Sequence, residues 1–222
     1  EQLRDSHLAR ATLADSLSRA GRRNDARQHI EWLRFHGNEQ PHVYRLAAAI
    51  ELDDRKFDES LAELQGTRRG AARCAGADSL EGDAWLRKRQ FESACDAYRA
   101  AIEREGPTRA ALSGLAAVDL HQSNFEAAAM NALDALAVDM HNGRAHFCLA
   151  VALSNLGKAQ EALQALELWA KVEPAAASPY RWMARVYEQQ IDDPARAAEC
   201  RLRGREIVRQ RRSLKSAPAA NT

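Results

Sequence analysis

Apolar residues recur along this chain at i, i+3 and i+4, in blocks separated by short polar breaks. That spacing places them on one face of an α-helix and does not match the alternation of a strand. Residues 143–174 show the pattern most clearly. Leu149, Leu153 and Leu156 mark one helix, and Gly157-Lys158 breaks it. Ala162, Leu163, Leu166 and Trp169 mark a second, and Pro174 closes the unit. Gly157 suits a helix C-terminus, where a left-handed residue costs glycine nothing. Asp193-Pro194 suits the start of another helix, as an N-cap followed by Pro in the first turn.

The same pair of helices repeats along the chain. Phe57, Phe91 and Phe125 recur at a 34-residue step. Ser60, Ala94, Ala128 and Ala162 keep that step, and Gly21 and Gly157 are four steps apart. Upstream, Ala14, Ala48, Gly82, Ala116, Ala150 and Ala184 form a ladder of six small residues at the same spacing. The ladder predicts that the two helices of each unit approach closely where small faces small. Large side chains beside that contact fill the layer between units, because a lone unit cannot bury its apolar face. Units are expected to start near 7, 41, 75, 109, 143 and 177. Together they make one repeat domain over 1–212 with a flexible tail at 213–222. The sixth unit carries one inserted residue before Ala197.

A 34-residue helix-turn-helix unit of this layout resembles the tetratricopeptide repeat. The fifth unit carries the resemblance best, with Leu149-Ala150, Leu153, Gly157, Ala162, Leu166 and Pro174, although Ala159 stands where the family has an aromatic. The third supplies Gly82, Trp85, Phe91, Ala94, Tyr98, Ala101-Ile102 and Pro107. The second has Glu51 in place of the usual aromatic. The resemblance spans about residues 7 to 210. It implies an all-α fold, a right-handed solenoid of antiparallel helix pairs, whose first helices line a concave groove for peptides or partner surfaces.

Placed on that register, the groove positions of units four and five are small or apolar: Ser113, Ala117, Leu120, Phe147 and Val151. Arg45 stands near one end, and Arg181 and Arg185 near the other. The last two are i, i+4 on one helix, so their guanidiniums can point the same way, towards a carboxylate or phosphate. Each arginine could instead pair with a neighbouring glutamate or sit in water, and Phe147 could instead pack between the fourth and fifth units. Some members of the family grip a C-terminal carboxylate with Lys and Asn on the first three groove helices. The matching positions here hold Ala11, Asp15, Arg45, Ala49, Ser79 and Asp83, so no such clamp is expected.

Composition adds limits. Lysine and arginine number 32 against 31 acidic residues, so no global field draws the chain to nucleic acid or an anionic membrane. The resemblance implies a protein or peptide partner, the balanced charge argues against nucleic acid, and self-association is left open. No apolar run approaches the roughly 18 residues of a membrane span. Cys74, Cys95, Cys148 and Cys200 form no C-x-x-C pair, which points to free thiols in a reducing, cytoplasmic setting. No signal segment is visible, but the chain starts at Glu1, so a preceding segment stays open. The seven histidines include no H-E-x-x-H and no i, i+4 pair, and no nucleophile elbow or phosphate loop occurs. Neither a metal nor a cofactor is expected, and no catalytic residue is assigned. The four tryptophans fall at different places in their units and read as packing between helices. Asp53-Asp54 and Asp192-Asp193 read as caps at helix breaks.

Two segments depart from the regular unit. Residues 66–77, GTRRGAARCAGA, keep the 34-residue count from Phe57 to Phe91, so they are no linker. They lack the Lys-Ser/Thr of a phosphate loop and predict a second helix that ends early, near Gly66, at a loosened joint. The C-terminal RLRGREIVRQRRSLK could meet RNA, an anionic membrane or an acidic partner, but reads first as a basic last helix that closes the array with a polar outer face, using Ile207 and Val208 against the sixth unit. The leading reading is a scaffold that binds a protein or peptide. The alternative is the accessory repeat region of a larger enzyme, of transferase, phosphatase or phosphodiesterase type.

Overall fold

The computed structural model describes residues 2–38, 40–68 and 74–216. Among them are twelve α-helices: α1 (Gln2–Arg19), α2 (Arg23–Phe35), α3 (Pro41–Asp53), α4 (Phe57–Gly66), α5 (Ala77–Arg87), α6 (Phe91–Glu105), α7 (Arg109–His121), α8 (Phe125–Val138), α9 (Gly143–Asn155), α10 (Ala159–Val172), α11 (Ser178–Val186) and α12 (Pro194–Ser216). Second helices begin at 23, 57, 91, 125 and 159, a constant step, and then at 194, one residue late. The helices group into two compact units, residues 1–106 and 107–222. Each holds three helical hairpins. In the first, α1–α2, α3–α4 and α5–α6 pair, and α3 packs on both α1 and α5. In the second, α7–α8, α9–α10 and α11–α12 pair, α7 packs on α9, and α10 packs on α11.

The small-residue ladder is the inner seam of every hairpin. Ala14, Ala48, Ala116, Ala150 and Ala184 are at most 2% exposed, and Gly82 is buried with them. Their partners Ala26, Ser60, Ala94, Ala128, Ala162 and Ala197 are all at 0%. Direct contact across the seam is visible at Ser60, whose hydroxyl donates to the Ala48 carbonyl at 2.8 Å. At Gly82 the missing side chain is filled by the ring of Tyr98: a Cβ there would lie 2.6 Å from a ring carbon. Tyr98 is fully buried, and its hydroxyl donates to Asp83 at 2.6 Å, so the ring cannot swing away.

Each hairpin turns through the same backbone motif. The N–H groups of Arg22, Lys56, Gln90, Asn124 and Lys158 reach back to the carbonyls of Leu17, Glu51, Trp85, Asp119 and Leu153, at 2.8–3.0 Å. The residue before each donor is left-handed, with φ between 62° and 79°. This is the Schellman arrangement. Gly21 and Gly157 adopt that conformation freely, whereas Arg55, Arg89 and Ser123 adopt it at a cost. The sixth turn carries the inserted residue. There α11 runs into a single π-helical turn, Tyr187–Ile191, and the closing bond is longer in sequence, from Asp193 N–H to Tyr187 O at 2.9 Å. A π turn takes up one extra residue without ending the helix. Ala197 therefore still reaches the seam.

Several local expectations are refined. The second helix of unit two does end at Gly66, but Gly66 is buried because the Tyr44 ring occupies the place of its side chain. Thr67 is fully buried too, its hydroxyl donating to Leu64 O at 2.6 Å. Residues 69–73 of the expected loose joint lie outside the described residues. Asp193 caps α12 as read, accepting from the Arg196 N–H at 3.0 Å, while Asp192 takes the left-handed turn position. Asp53 and Asp54 are ion-pair partners and accept no capping hydrogen bond. Arg27 binds Asp54 at 2.6 Å and Glu51 at 3.0 Å, and Arg23 approaches both aspartates. Glu51, standing where an aromatic is usual, thus replaces ring packing by charge. The Arg27 hydrogen bond holds the Asp54 carboxyl below its ordinary range. The last helix runs on to Ser216, into the segment expected as tail, and residues 217–222 lie outside the described residues.

Gly82→Ala should destabilise the first unit by about 1–3 kcal/mol, because the new methyl overpacks a pinned ring and outweighs the gain in helix propensity. Equilibrium urea unfolding measures it, and an unchanged midpoint would contradict the seam geometry. At the turn, Ser123→Gly removes a left-handed cost of about 1–2 kcal/mol and adds unfolded-state entropy of about 0.4–1 kcal/mol. The net expectation is a gain near 1 kcal/mol in the same measurement, and a loss of stability would refute the strain assigned to this position.

Candidate functional site

The first helices of the second unit, α7 and α9, lie side by side and present the central groove positions. Their placement is set by how they start. Thr108 caps α7 by accepting from Ala111 N–H at 3.3 Å, and Asn142 caps α9 by accepting from Ala145 N–H at 3.2 Å. The Asn142 amide also donates to Arg109 O at 3.1 Å, tying the two helix starts together. Arg109 in turn pairs with Asp139 at 2.7 Å.

Ala117, Leu120, Phe147 and Val151 are half-buried on this pair of helices. The first three pack onto the core formed by Ala116, Leu149, Leu153, Leu166 and Trp169. Phe147 meets Trp182 edge-on at 5.4 Å and Trp169 at 6.5 Å, so its ring contacts run to the fifth and sixth repeats. Ser113 is 2% exposed, and its hydroxyl donates to Arg109 O at 2.7 Å within its own helix. A serine that satisfies itself on the carbonyl four residues back has no donor left for a ligand, so the Ser113 hydroxyl is turned to its own helix.

The arginines separate. Arg45 lies in the first unit, half-buried, beside His42. Burial, and then the Arg45 charge, push the His42 pKa down. Arg181 and Arg185 are both exposed but do not act as a pair. Arg181 donates to Ser178 Oγ at 3.1 Å and lines a slot against α12. Arg185 sits over the Trp182 ring at 5.2 Å and donates to Gln189 at 3.0 Å. The π turn adds a residue that the periodic reading missed: Gln190 reaches back to Ser154, donating to its carbonyl at 2.7 Å and its hydroxyl at 2.9 Å. The signal for it was the one-residue insertion before Ala197.

Chemistry beyond binding has little to build on. Among the described residues, no three His, Cys, Asp or Glu side chains come together to hold a metal. No helix among them is long and apolar enough to cross a membrane. All four cysteines are free thiols. Cys148 is fully buried on α9, and burial pushes its pKa up to about 11. His146, beside the groove, is buried with its Nε2 on the Met140 carbonyl at 2.9 Å.

Known proteins share this geometry. A family model for the tetratricopeptide repeat-like domain matches residues 4–120, more than half of the chain. The chain belongs to the tetratricopeptide repeat family, and its paired helices are that family's structural unit. No curated protein sequence matches it. Among solved structures, a MamA RS-1 double mutant superposes with a TM-score of 0.63 at 17% identity, covering 80% of this chain and 98% of that one. Another MamA crystal structure gives 0.61 at 14% identity, over 82% and 98%. YrrB, described as a TPR protein with an unusual peptide-binding site, gives 0.57 at 17% identity, over 80% and 91%. At these identities the likeness is one of fold.

Thiol chemistry offers a direct check of the α9 packing. Iodoacetamide at pH 8 should leave Cys148 unmodified in the native chain and label it only after unfolding in guanidinium. Peptide mass mapping reads the outcome, and rapid native labelling of Cys148 would show that the α9 core is open.

Proposed function

We propose that this chain is a scaffold that binds a protein or peptide, and that the α7–α9 face of the second unit is its contact surface. The observation that supports this reading is the row Ala117, Leu120, Phe147 and Val151. Ala117, Leu120 and Phe147 stand on the core, Val151 lies beside them on α9, and all four are left partly open. A partly open apolar row on a rigid scaffold gains free energy when a partner covers it, at about 25 cal/mol per Å² of apolar surface removed from water. Arg185 stands at one side of the row, braced on Trp182, and supplies a fixed cation for an acidic or C-terminal group of the ligand. The peptide-binding site named for YrrB is consistent with this use of the fold.

Panning a phage-displayed peptide library against the folded chain tests the proposal. Recovered peptides should bind the Ala117→Glu and Val151→Glu variants at least about tenfold more weakly, a loss of about 1.4 kcal/mol. Circular dichroism should stay unchanged. Peptides that bind both variants as tightly as the parent would refute this face as the contact surface.

A further inference from the structure

The end of the second unit carries a second surface, distinct from the α7–α9 face. Between α11 and α12 lies an open slot of about 470 Å³. Its floor is Ala177, Gly204 and Val208, and its rim includes Arg181, Arg205 and Arg209. Arg201 and Arg212 complete the rim. Arg201, Arg205 and Arg209 are spaced i, i+4 and i+8, so they form one stripe along α12, about 12 Å long at 1.5 Å per residue. Arg201 is paired with Glu188. Arg205, Arg209 and Arg212 make no ion pair to any described residue.

The repeat itself identifies what this slot is shaped to hold. First helices of the fifth and sixth units keep the regular repeat step, as Ala150 and Ala184 show. Second helices are set one residue further on, as Ala162 and Ala197 show. On that count the slot positions Ala177, Arg181, Arg201, Gly204, Arg205 and Val208 correspond to Gly143, Phe147, Leu166, Trp169, Ala170 and Glu173. In the fifth unit those residues seat a helix. Phe147 meets Trp182 of α11, α10 packs on α11, and Leu166, Trp169 and Ala170 share one core with Met183. The slot is therefore a helix seat whose apolar contacts have been rewritten. Leu166 becomes Arg201 and Ala170 becomes Arg205, while Trp169 becomes Gly204, which leaves the floor open.

We propose that this seat binds a helix of a partner protein that carries a row of carboxylates beside a row of aliphatic side chains. The aliphatic row would occupy the Ala177–Gly204–Val208 floor, and the carboxylates would meet Arg205, Arg209 and Arg181. Guanidiniums bind carboxylates in fork geometry, and several on one stripe read a helical spacing. The chain's own residues 213–222 contain no Asp or Glu, so they do not supply the acidic row. RNA is disfavoured because no aromatic side chain lines the slot to stack a base. A membrane surface is disfavoured because, among the residues of α12 whose side chains are described, the large exposed apolar ones, Leu202 and Val208, lie about 120° apart around the helix at 100° per residue.

The probe is a fluorescein-labelled stapled helix with glutamates at i, i+4 and i+8 beside a row of leucines, followed by fluorescence anisotropy. The parent chain should bind it, and binding should weaken as salt rises. The Arg205→Glu/Arg209→Glu variant, altered only at exposed positions, should bind about tenfold or more weakly with an unchanged circular dichroism spectrum. Val151→Glu should bind the probe as the parent does, which separates this seat from the α7–α9 face. The proposal is overturned if the parent fails to bind, or if the double variant binds equally. It is also overturned if a lysine-for-glutamate probe or an unstapled scrambled probe binds as tightly. Tighter binding to phosphatidylglycerol vesicles or to oligouridine, lost in the same double variant, would assign the arginines to lipid or RNA instead.

Discussion

Everything in this chain rests on close approach of two helices at a pair of small residues. When Ala48 meets Ser60, or Gly82 meets the Tyr98 ring, the backbones come near enough for bulkier neighbours to interlock around them. Those neighbours, Leu64, Leu153, Leu166 and Trp169, bury their surface only because the seam is tight. A larger residue at the seam would hold the helices apart and open voids on both sides at once. The seam therefore sets the geometry of each hairpin, and the hairpin sets where the groove and end-face residues stand.

Fold and repeat length were legible because packing acts on the same positions in every unit. Small residues one repeat length apart in sequence record a single contact made again in each hairpin. The left-handed turn positions were legible only where glycine marked them. Arg55, Arg89 and Ser123 hold the same left-handed place without announcing it, because hydrogen bonds to the preceding helix impose the conformation. Glu51 is similar: the sequence shows a missing aromatic, and only the spatial nearness of Arg27 reveals the charge network that substitutes for it.

The candidate site was less legible for a different reason. Groove positions are single occurrences, so no repetition tests them. Ser113 falls on the right face of the periodic pattern yet turns inward to its own helix, because a hydroxyl can close on a carbonyl one turn back. Arg181 and Arg185 share a helical stripe but take different neighbours, one at the α12 slot and one on Trp182. The arginines of α12 read in sequence as a solvated closing helix. Ile207 is buried as such a helix requires, but Val208 is 40% exposed and faces the slot.

The π turn at Tyr187–Ile191 shows how such an array tolerates error. An extra residue in a straight helix would rotate everything after it by about 100° and carry the next small residue off the seam. Here the surplus is absorbed within one loosened turn, and Ala197 lands where an uninterrupted unit would have placed it. A chain built from copied segments can thus accept a change in length without rebuilding the helices beyond it, provided that the change falls where the winding can slacken. The turn that looks like an irregularity is what leaves the last repeat free to diverge in length while keeping its place in the stack.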